Sequence, residues 1–444
     1  MKKRILAILL SATLTLTLTA CNNSPNPSGR TTPNDNQSNT PSSNPSTAPK
    51  ENNDPPKDWP EISVTDFQYK YDADTQGIMI EKYLGSAIKV RIPDKIEGEP
   101  VTNIGASAFT ESRIMSVYLP NSVKVIGTDD SGKGIFGTLS NGTFSGCTEL
   151  INITIPNSVT EIGDLAFEDC TGLTSVVIPN SVTKIGTSAF TGCTGLTSVT
   201  IPDSVTELIG TFEGCIGLTS VMIPNSVTEL IETFKGCTGL TSITIPDSVT
   251  QLAGTFGGCT GLTSISIPDS VTVIASTFYG CTGLTSIMIP NSVTQIGGHA
   301  FRDCTGLTSI SIPDSVTIIG ANTFQGCTGL TSIMIPNSVT QIGEHAFRDC
   351  TGLTSFTFPD NVMIIENLVL MGCTGLTSVA IPNGVTEIRF YAFRDCVKLT
   401  NITIPNSVID IGVGAFSKCD SLSDTIRDQI TRINPENAFL LSGE

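Results

Sequence analysis

A set of apolar residues with fixed spacing recurs along most of this chain. The pattern Leu-x-x-Val-x-Ile-Pro returns every 22 or 23 residues after residue 147, and residues 173–179 are a typical copy. With neighbouring strands on both sides, Leu173, Val176 and Ile178 are expected to point inward and the residues between them outward. Proline ends the strand because it has no N–H to donate. Repetition at so short a period predicts a solenoid, in which stacked turns share one core.

The remainder of each unit predicts a second short strand and a buried plug. In the same copy, residues 182–185 are expected to be extended, and Gly186 is expected to turn the chain. Ala189 and Phe190 are expected to fill the interior before the next turn begins. The repeat therefore predicts a β-rich turn with two strands and little helix.

Different patterns at the two ends predict caps. Residues 67–83 alternate between polar and apolar types, which predicts a hairpin over the first turn. After Ser423, Ile426, Ile430 and Ile433 follow helical spacing, which predicts a short amphipathic helix over the last turn. Terminal caps are expected because a solenoid otherwise exposes its core at each end.

The period is not uniform along the chain. The cysteines from Cys193 to Cys281 are 22 residues apart, whereas the cysteines before and after them are 23 apart. The missing residue lies between the second strand and the buried phenylalanine. We therefore expect a bend or a change of twist around residues 194–281, with no chemistry attached.

The first twenty residues read as an export signal. A basic start (Lys2, Lys3 and Arg4) precedes an apolar run that is too short to span a membrane. The run ends Leu-Thr-Ala before Cys21, which resembles a bacterial lipobox and implies that Cys21 becomes the first mature residue and carries lipid. The alternative is an ordinary signal peptide that ends near a cysteine. Asn22 suits transfer to the outer membrane if the cell is Gram-negative.

The next segment is expected to be a tether. Residues 22–60 consist mainly of Asn, Ser, Pro and Thr, with few large apolar side chains. Such a composition cannot bury enough surface to fold. We expect this segment to hold the repeats away from the lipid.

Charge and cysteine content narrow the possible partners. The formal charge is −17, and removal of the basic leader takes it to −20, so nucleic acid is an unfavourable partner. Thirteen of the fourteen cysteines occupy one phase of the repeat, which favours a column of buried free thiols. Disulfides between neighbouring turns are not excluded by distance, since turns stack roughly 4.8 Å apart. With two histidines and no Cys-x-x-Cys pair, we expect no metal site.

Three motifs that could carry chemistry have simpler interpretations. Residues 127–133 match GxxxxGK, but Gly134 follows where a phosphate loop needs Ser or Thr. Residues 72–77 resemble the start of a calcium loop, yet Tyr83 occupies the twelfth position, so a hairpin turn is favoured. His299 and His345 occur in matching phrases and are interpreted as copied surface. We expect no catalytic residues and no cofactor.

The outward positions of the main strands form the candidate binding surface, here called the strand face. They carry hydroxyls, scattered methionines and no charge. One interpretation is structural, because cross-strand Ser and Thr pairs stabilise sheets. The other is a neutral groove for an extended polypeptide or glycan, with methionine as an adaptable contact. The strand face comprises Ser198, Thr200, Ser220, Met222, Ser242, Thr244, Ser264, Ser266, Ser286, Met288, Ser309, Ser311, Ser332 and Met334.

The repeat resembles one known family. The motif Ile-Pro-Asn-Ser-Val-Thr-x-Ile-Gly-x-x-Ala-Phe-x-x-Cys-x-x-Leu, as in residues 178–196, is similar to the BspA-type leucine-rich repeat of bacterial surface proteins. The resemblance covers about residues 64–422. It implies a curved, right-handed leucine-rich-repeat superhelix without catalytic residues. It also implies adhesion to host extracellular-matrix or plasma proteins, such as fibronectin and fibrinogen, or to another bacterial surface molecule.

These observations predict five segments and two alternative functions. The segments are a lipoprotein signal peptide (1–20), a disordered linker (21–60), an N-terminal cap with a degenerate first repeat (61–101), the repeats (102–422) and a C-terminal cap helix with a tail (423–444). The first functional hypothesis is a lipid-anchored adhesin at the cell surface. The second is an envelope scaffold whose repeats only set length.

Overall fold

The chain folds as a β-solenoid. The computed structural model describes Trp59 and residues 62–127, 142–435 and 438–440. Across these residues the chain makes about 14 turns, about 23 residues apart. The predicted fold class is confirmed, with a strand-rich start and a short helix near the end. The predicted leader, Cys21 and the linker up to residue 58 lie outside the described residues.

The first strand of each turn belongs to a parallel row, here called the main-strand row. Its strands pair in register, as Ser175 does with Ser198. The named strands are β3 (Lys89–Arg91), β6 (Ser116–Tyr118), β8 (Asn152–Thr154), β10 (Ser175–Val177), β12 (Ser198–Thr200), β20 (Ser355–Thr357), β22 (Ser378–Ala380) and β24 (Asn401–Thr403). Between β12 and β20 the row continues as single parallel bridges, namely Thr200 with Met222, Met222 with Thr244, Ser266 with Met288, Met288 with Ser311 and Ser311 with Met334.

The second strand of each turn builds another parallel row, here called the second-strand row. It comprises β5 (Glu99–Ile104), β7 (Val125–Ile126), β9 (Glu161–Ile162), β11 (Lys184–Ile185), β13 (Glu207–Ile209), β14 (Glu229–Ile231), β15 (Gln251–Ala253), β16 (Val273–Ala275), β17 (Gln295–Ile296), β18 (Ile318–Ile319), β19 (Gln341–Ile342), β21 (Ile364–Ile365), β23 (Glu387–Ile388) and β25 (Asp410–Ile411). Strands β13 to β19 form one uninterrupted sheet.

Both predicted caps are present. A 3-10 turn (Val64–Asp66) leads into the antiparallel hairpin of β1 (Phe67–Asp72) and β2 (Gly77–Tyr83). Strand β2 then pairs in parallel with β5, and β4 (Lys95–Ile96) folds back on β5. At the other end, helix α1 (Asp424–Ile433) begins after the Ser423 cap and buries Ile430. The hairpin therefore covers the first edge of the second-strand row.

A column of stacked phenylalanines forms the centre of the core. Phe167 and Phe190 are fully buried, with ring centroids 5.0 Å apart and an interplanar angle of 4°. The inward positions of the main strand are also buried, since Leu173, Val176 and Ile178 each expose 3% or less. Each turn thus buries its apolar side chains against the turns before and after it, which is why the core exists only in the stack.

In the unit that contains Leu370, different residues fill the core. Leu370 occupies the position that is phenylalanine in the neighbouring turns. Phe356 in β20 and Phe358 just after it replace smaller inward residues, and the Phe356 ring meets Phe347 edge-on at 4.8 Å. Phe358 in turn lies 6.4 Å from Phe393, where the column resumes. The two extra rings compensate for the missing one, because a void in this core would forfeit packing.

The repeat cysteines form a column of free, buried thiols. All thirteen are unpaired and buried. Each thiol donates to a backbone carbonyl one turn earlier, as Cys259 Sγ does to Phe234 O at 3.1 Å. Burial raises the pKa of every one of these thiols, that of Cys281 to about 12. The predicted column of free thiols is confirmed, and its members are protonated at neutral pH.

The second strands are longer in the short units. In the four turns that lack one residue, strands β13 to β16 have three residues each. The single bridges of the main-strand row begin in these turns and continue into full-length turns as far as Met334. Stacked ring centroids also move apart, from 5.0 Å between Phe167 and Phe190 to 6.0 Å between Phe234 and Phe256. The longer second strands coincide with the deleted residue, whereas the bridged stretch of the main-strand row extends beyond the short units. A bend at this place stays a prediction.

Candidate binding face

All fourteen residues of the strand face are exposed. They alternate with inward residues, as in β12, where Val199 is buried between exposed Ser198 and Thr200. The in-register bridges of the main-strand row align their side chains in columns along the solenoid. The sequence pattern therefore yields a continuous surface that is one strand wide.

Hydrogen bonds separate the structural hydroxyls from the free ones. In four turns of the strand face, the threonine just before the first strand-face serine donates to the turn before it, as Thr197 Oγ1 does to Thr174 O at 3.1 Å and Thr308 Oγ1 to Thr285 O at 3.4 Å. Within the described part of the chain, the hydroxyls of Ser198, Ser220 and the equivalent serines make no such bond. The stabilisation between turns that one interpretation assigned to the strand-face hydroxyls therefore comes from the adjacent threonines.

A second structural column lies in the turn after the proline. Ser248 Oγ donates to Val227 O at 2.7 Å, and Ser292 Oγ donates to Val271 O at 2.8 Å. These serines are partly buried, unlike those of the strand face. Hydroxyls are therefore used to join turns where they are sheltered and left open to solvent on the strand face.

The three methionines are the most exposed apolar side chains of the strand face. Met222, Met288 and Met334 expose 84%, 79% and 83% of their surface. All three lie in one column, and one bridge residue, Ser311, separates Met288 from Met334. So much exposed thioether is unfavourable in water, so these side chains offer a favourable contact to any partner that covers them.

The acidic charge lies away from the strand face. None of its fourteen residues is ionisable, whereas exposed Asp203, Asp247 and Asp269 lie in the turns after the prolines. Glu207 and Glu229 are register partners in the second-strand row. The strand face is thus a neutral strip on an acidic molecule.

The other candidate motifs are not brought together into a site. Asp72 accepts hydrogen bonds from the Asp74 N–H at 3.0 Å and the Thr75 hydroxyl at 2.7 Å, which confirms a hairpin turn. Beyond Gly127, the GxxxxGK segment lies outside the described residues until 142. Among the described residues, no cluster of three or more His, Cys, Asp or Glu could hold a metal ion.

His299 and His345 are less exposed than expected for surface residues that were copied with the repeat. Both are half-buried and lie at left-handed backbone positions, with φ of 59° for His299 and 58° for His345. Burial, reinforced by Arg302 and Arg348 respectively, lowers the pKa of each imidazole. They contact different turns and face no common nucleophile in the described structure.

The sequence analysis did not predict that the outward surface of the first three turns has a different composition. The threonine column is replaced by Ile88, Met115 and Ile151 in the first three turns, and the first strand carries Lys89 and Arg91. Backbone bonds place Met115 next to Ile88, and Ile151 next to Met115. Aligning the degenerate first units with the repeat would have found this change, because Ile-Pro and Leu-Pro mark the same phase in each.

The fold and this surface define a leucine-rich-repeat solenoid with an open strand face. A model of the BspA type leucine-rich repeat region matches six copies, over residues 87–130, 136–232, 209–331, 253–377 and 317–442. The chain therefore belongs to the BspA-type leucine-rich repeat family. No curated protein matches it. Within the described residues, no helix is both long and apolar enough to cross a bilayer.

Solved structures of bacterial leucine-rich repeat proteins are similar to this chain. One from Bacteroides ovatus is 28% identical, covers 86% of this chain and 98% of its own, and has a TM-score of 0.61. A leucine rich cell surface protein from Faecalibacterium prausnitzii is 30% identical over 82% of this chain and 94% of its own, with a TM-score of 0.53. The pneumococcal vaccine antigen PcpA, 20% identical with a TM-score of 0.53, shares the fold and covers 85% of this chain and 97% of its own.

Proposed function

We propose that this protein is a lipid-anchored adhesin of the bacterial cell surface. Its strand face binds an extended segment of a host extracellular-matrix or plasma protein, or of another bacterial surface molecule. The observation that carries this proposal is the contrast between two hydroxyl columns. Threonines beside the face donate to the turn before them, whereas the face serines are exposed and have no partner in the described chain.

The shape and chemistry of the face favour a polypeptide. From Ser198 to Ser332 it spans seven turns, which is on the order of 30 Å at about 4.8 Å per turn. A polypeptide of about nine extended residues has the same length. Free hydroxyls can bond its backbone, and the three methionines can contact its apolar side chains whatever their shape. A glycan of similar length is the other ligand of this kind.

Two observations support display at the cell surface. The similar protein from F. prausnitzii is described as a cell surface protein. The lipobox-like end of the leader provides Cys21 as the attachment point for lipid, followed by the polar tether. Together they support a molecule whose repeats are held outward from the envelope.

Replacing the face methionines tests this function. The full chain carrying Met222→Lys, Met288→Lys and Met334→Lys is expected to bind immobilised fibronectin or fibrinogen at least about tenfold more weakly than the unaltered chain. Each change removes an apolar contact and places a charge on a neutral strip. Surface changes of this kind alter stability by about 0.5 kcal/mol or less, so a loss of binding is not a loss of folding.

The matched control is Met363→Lys. Met363 is 64% exposed but precedes β21 in the second-strand row, away from the strand face. It should leave binding unchanged. Equal effects of the triple variant and of this control would contradict the strand-face proposal. Absence of saturable binding by the unaltered chain to matrix, plasma or bacterial surface proteins would favour the envelope scaffold instead.

A further inference from the structure

The first strand of the main-strand row leaves one backbone edge unpaired. The sheet that starts this row has the order β3, β6, β8, so β3 pairs on one side only. The hairpin of β1 and β2 extends the second-strand row and not this one. Among the residues that the structure describes, the main-strand row therefore begins with an open edge.

The hydrogen-bond pattern identifies which groups are free. Ile88 O accepts from Met115 N at 2.7 Å, and Ile92 N donates to Tyr118 O at 3.1 Å, so residues 88, 90 and 92 face β6. Backbone groups alternate in direction along a strand, so the N–H and C=O of Lys89 and Arg91 point away from β6. Neither residue makes another backbone hydrogen bond within the described part of the chain.

The side chains at this edge are cationic on an otherwise acidic molecule. Lys89 is exposed and Arg91 half-buried, and between them Val90 is fully buried. The Arg91 guanidinium lies 5.9 Å from the centre of the Tyr118 ring. Neither cation forms an ion pair with a described residue. Exposed Ile88 completes an edge that offers hydrogen bonds, positive charge and an apolar side chain together.

We propose that the β3 edge is a second binding site, which captures an extended acidic segment of a partner protein as an added strand. Such addition supplies backbone hydrogen bonds from the edge and specificity from alternating side chains. The added strand would place carboxylates beside Lys89 and Arg91 and a small aliphatic residue beside Val90. Opposite charges directly across a strand pair stabilise it.

The charge also argues against a second copy of this chain as the occupant. Two β3 edges brought together would place the Lys89 and Arg91 side chains of both copies close to one another. Like charges opposite each other in a sheet are destabilising. The same cations disfavour pairing of this edge with the edges of other chains, which is a common role of lysine on edge strands. An acidic strand removes that repulsion.

A designed peptide tests the proposal with the full chain. The probe is a blocked peptide with alternating glutamate and valine, compared with one of the same composition arranged in two blocks. We expect saturable binding of the alternating peptide alone, with slower amide hydrogen exchange at Lys89 and Arg91. Binding without that protection, or equal binding of the block peptide, would overturn the proposal. So would concentration-dependent pairing of the chain through this edge.

Two variants separate the backbone from the charge. Lys89→Pro removes an outward N–H that has no partner among the described residues, so an edge position can accept it, and binding should fall at least about tenfold. Lys89→Glu leaves the backbone intact and should also weaken binding, by about fivefold or more. Lys398→Glu, an exposed residue far along the chain with the same charge change, is the control and should bind normally. Undiminished binding by Lys89→Glu would refute the assignment even if the proline variant failed to fold.

Discussion

At the scale of single residues, equivalent polar groups have different roles because their surroundings differ. A threonine beside the strand face donates to the turn before it, and a serine one position later is left to solvent. The buried cysteines likewise join turns, because each thiol supplies a donor to a carbonyl inside the core. A protonated thiol is compact and weakly polar, which suits a position that no water reaches.

The thiol column predicts a loss of stability at alkaline pH. Burial raises the pKa of Cys281 to about 12, above the value near 8.5 of an unfolded thiol. A raised folded-state pKa leaves stability intact below the unfolded value and removes it as pH climbs toward the folded value. The free energy of unfolding should therefore fall from about pH 9 upward, measured by denaturant unfolding under reducing conditions.

Removing one thiol isolates this effect from other titrations. In the Cys281→Ala chain, the fall should be shallower than in the unaltered chain by up to about 1.4 kcal/mol per pH unit, since one fewer proton is released. The difference between the two chains at neutral pH gives the loss of packing and of the hydrogen bond from the Cys281 thiol to Phe256 O. Parallel pH profiles for the two chains would contradict a protonated thiol in the fold.

At the scale of elements, the phenylalanine column determines how firmly successive turns are joined. Phe256 is fully buried, with neighbouring rings 6.0 Å and 5.8 Å away. Phe256→Ala should destabilise the folded chain by about 3–5 kcal/mol, because it removes a ring and leaves a cavity. Met288→Ala, at an exposed position, should change the free energy of unfolding by about 0.5 kcal/mol or less in the same measurement. Similar values for both variants would contradict the described core.

The sequence predicted burial correctly wherever the repeat places a residue in the same surroundings in every turn. Leu173, Val176 and Phe190 are buried as predicted, because a period that returns every turn leaves only one face for the apolar residues. Helix α1 forms after Ser423 as predicted, and the Ser423 side chain caps it, because helix starts are determined by local chemistry. The exposure of the strand face follows from the same alternation.

Three features could not be predicted from the sequence, because they depend on contacts between turns and not on the residues of one unit. The repair of the core by Phe356 and Phe358 involves a missing ring at Leu370, on a different segment of the turn. The longer second strands of the short units depend on how several turns accommodate one deletion together. The open edge of β3 could not be foreseen, because it depends on which row the N-terminal hairpin extends.

At the scale of the whole molecule, the repeated turn produces surfaces that differ in charge. The strand face is neutral, the turns after the prolines carry aspartates, and the edge at β3 is cationic. A solenoid allows this division because each column of side chains can vary while the core repeats. The proposed adhesin would then hold one ligand along its length and another at its first strand.

Site-specific photo-crosslinking tests the central claim most directly. A photoreactive phenylalanine analogue is placed in the full chain either at Ser264, on the strand face, or at Thr250, which is equally exposed but precedes β15 in the second-strand row. With bound fibronectin or fibrinogen, we expect covalent adducts from position 264 and few or none from position 250. Equal adducts from both positions, or adducts from position 250 alone, would show that the strand face is not the binding surface.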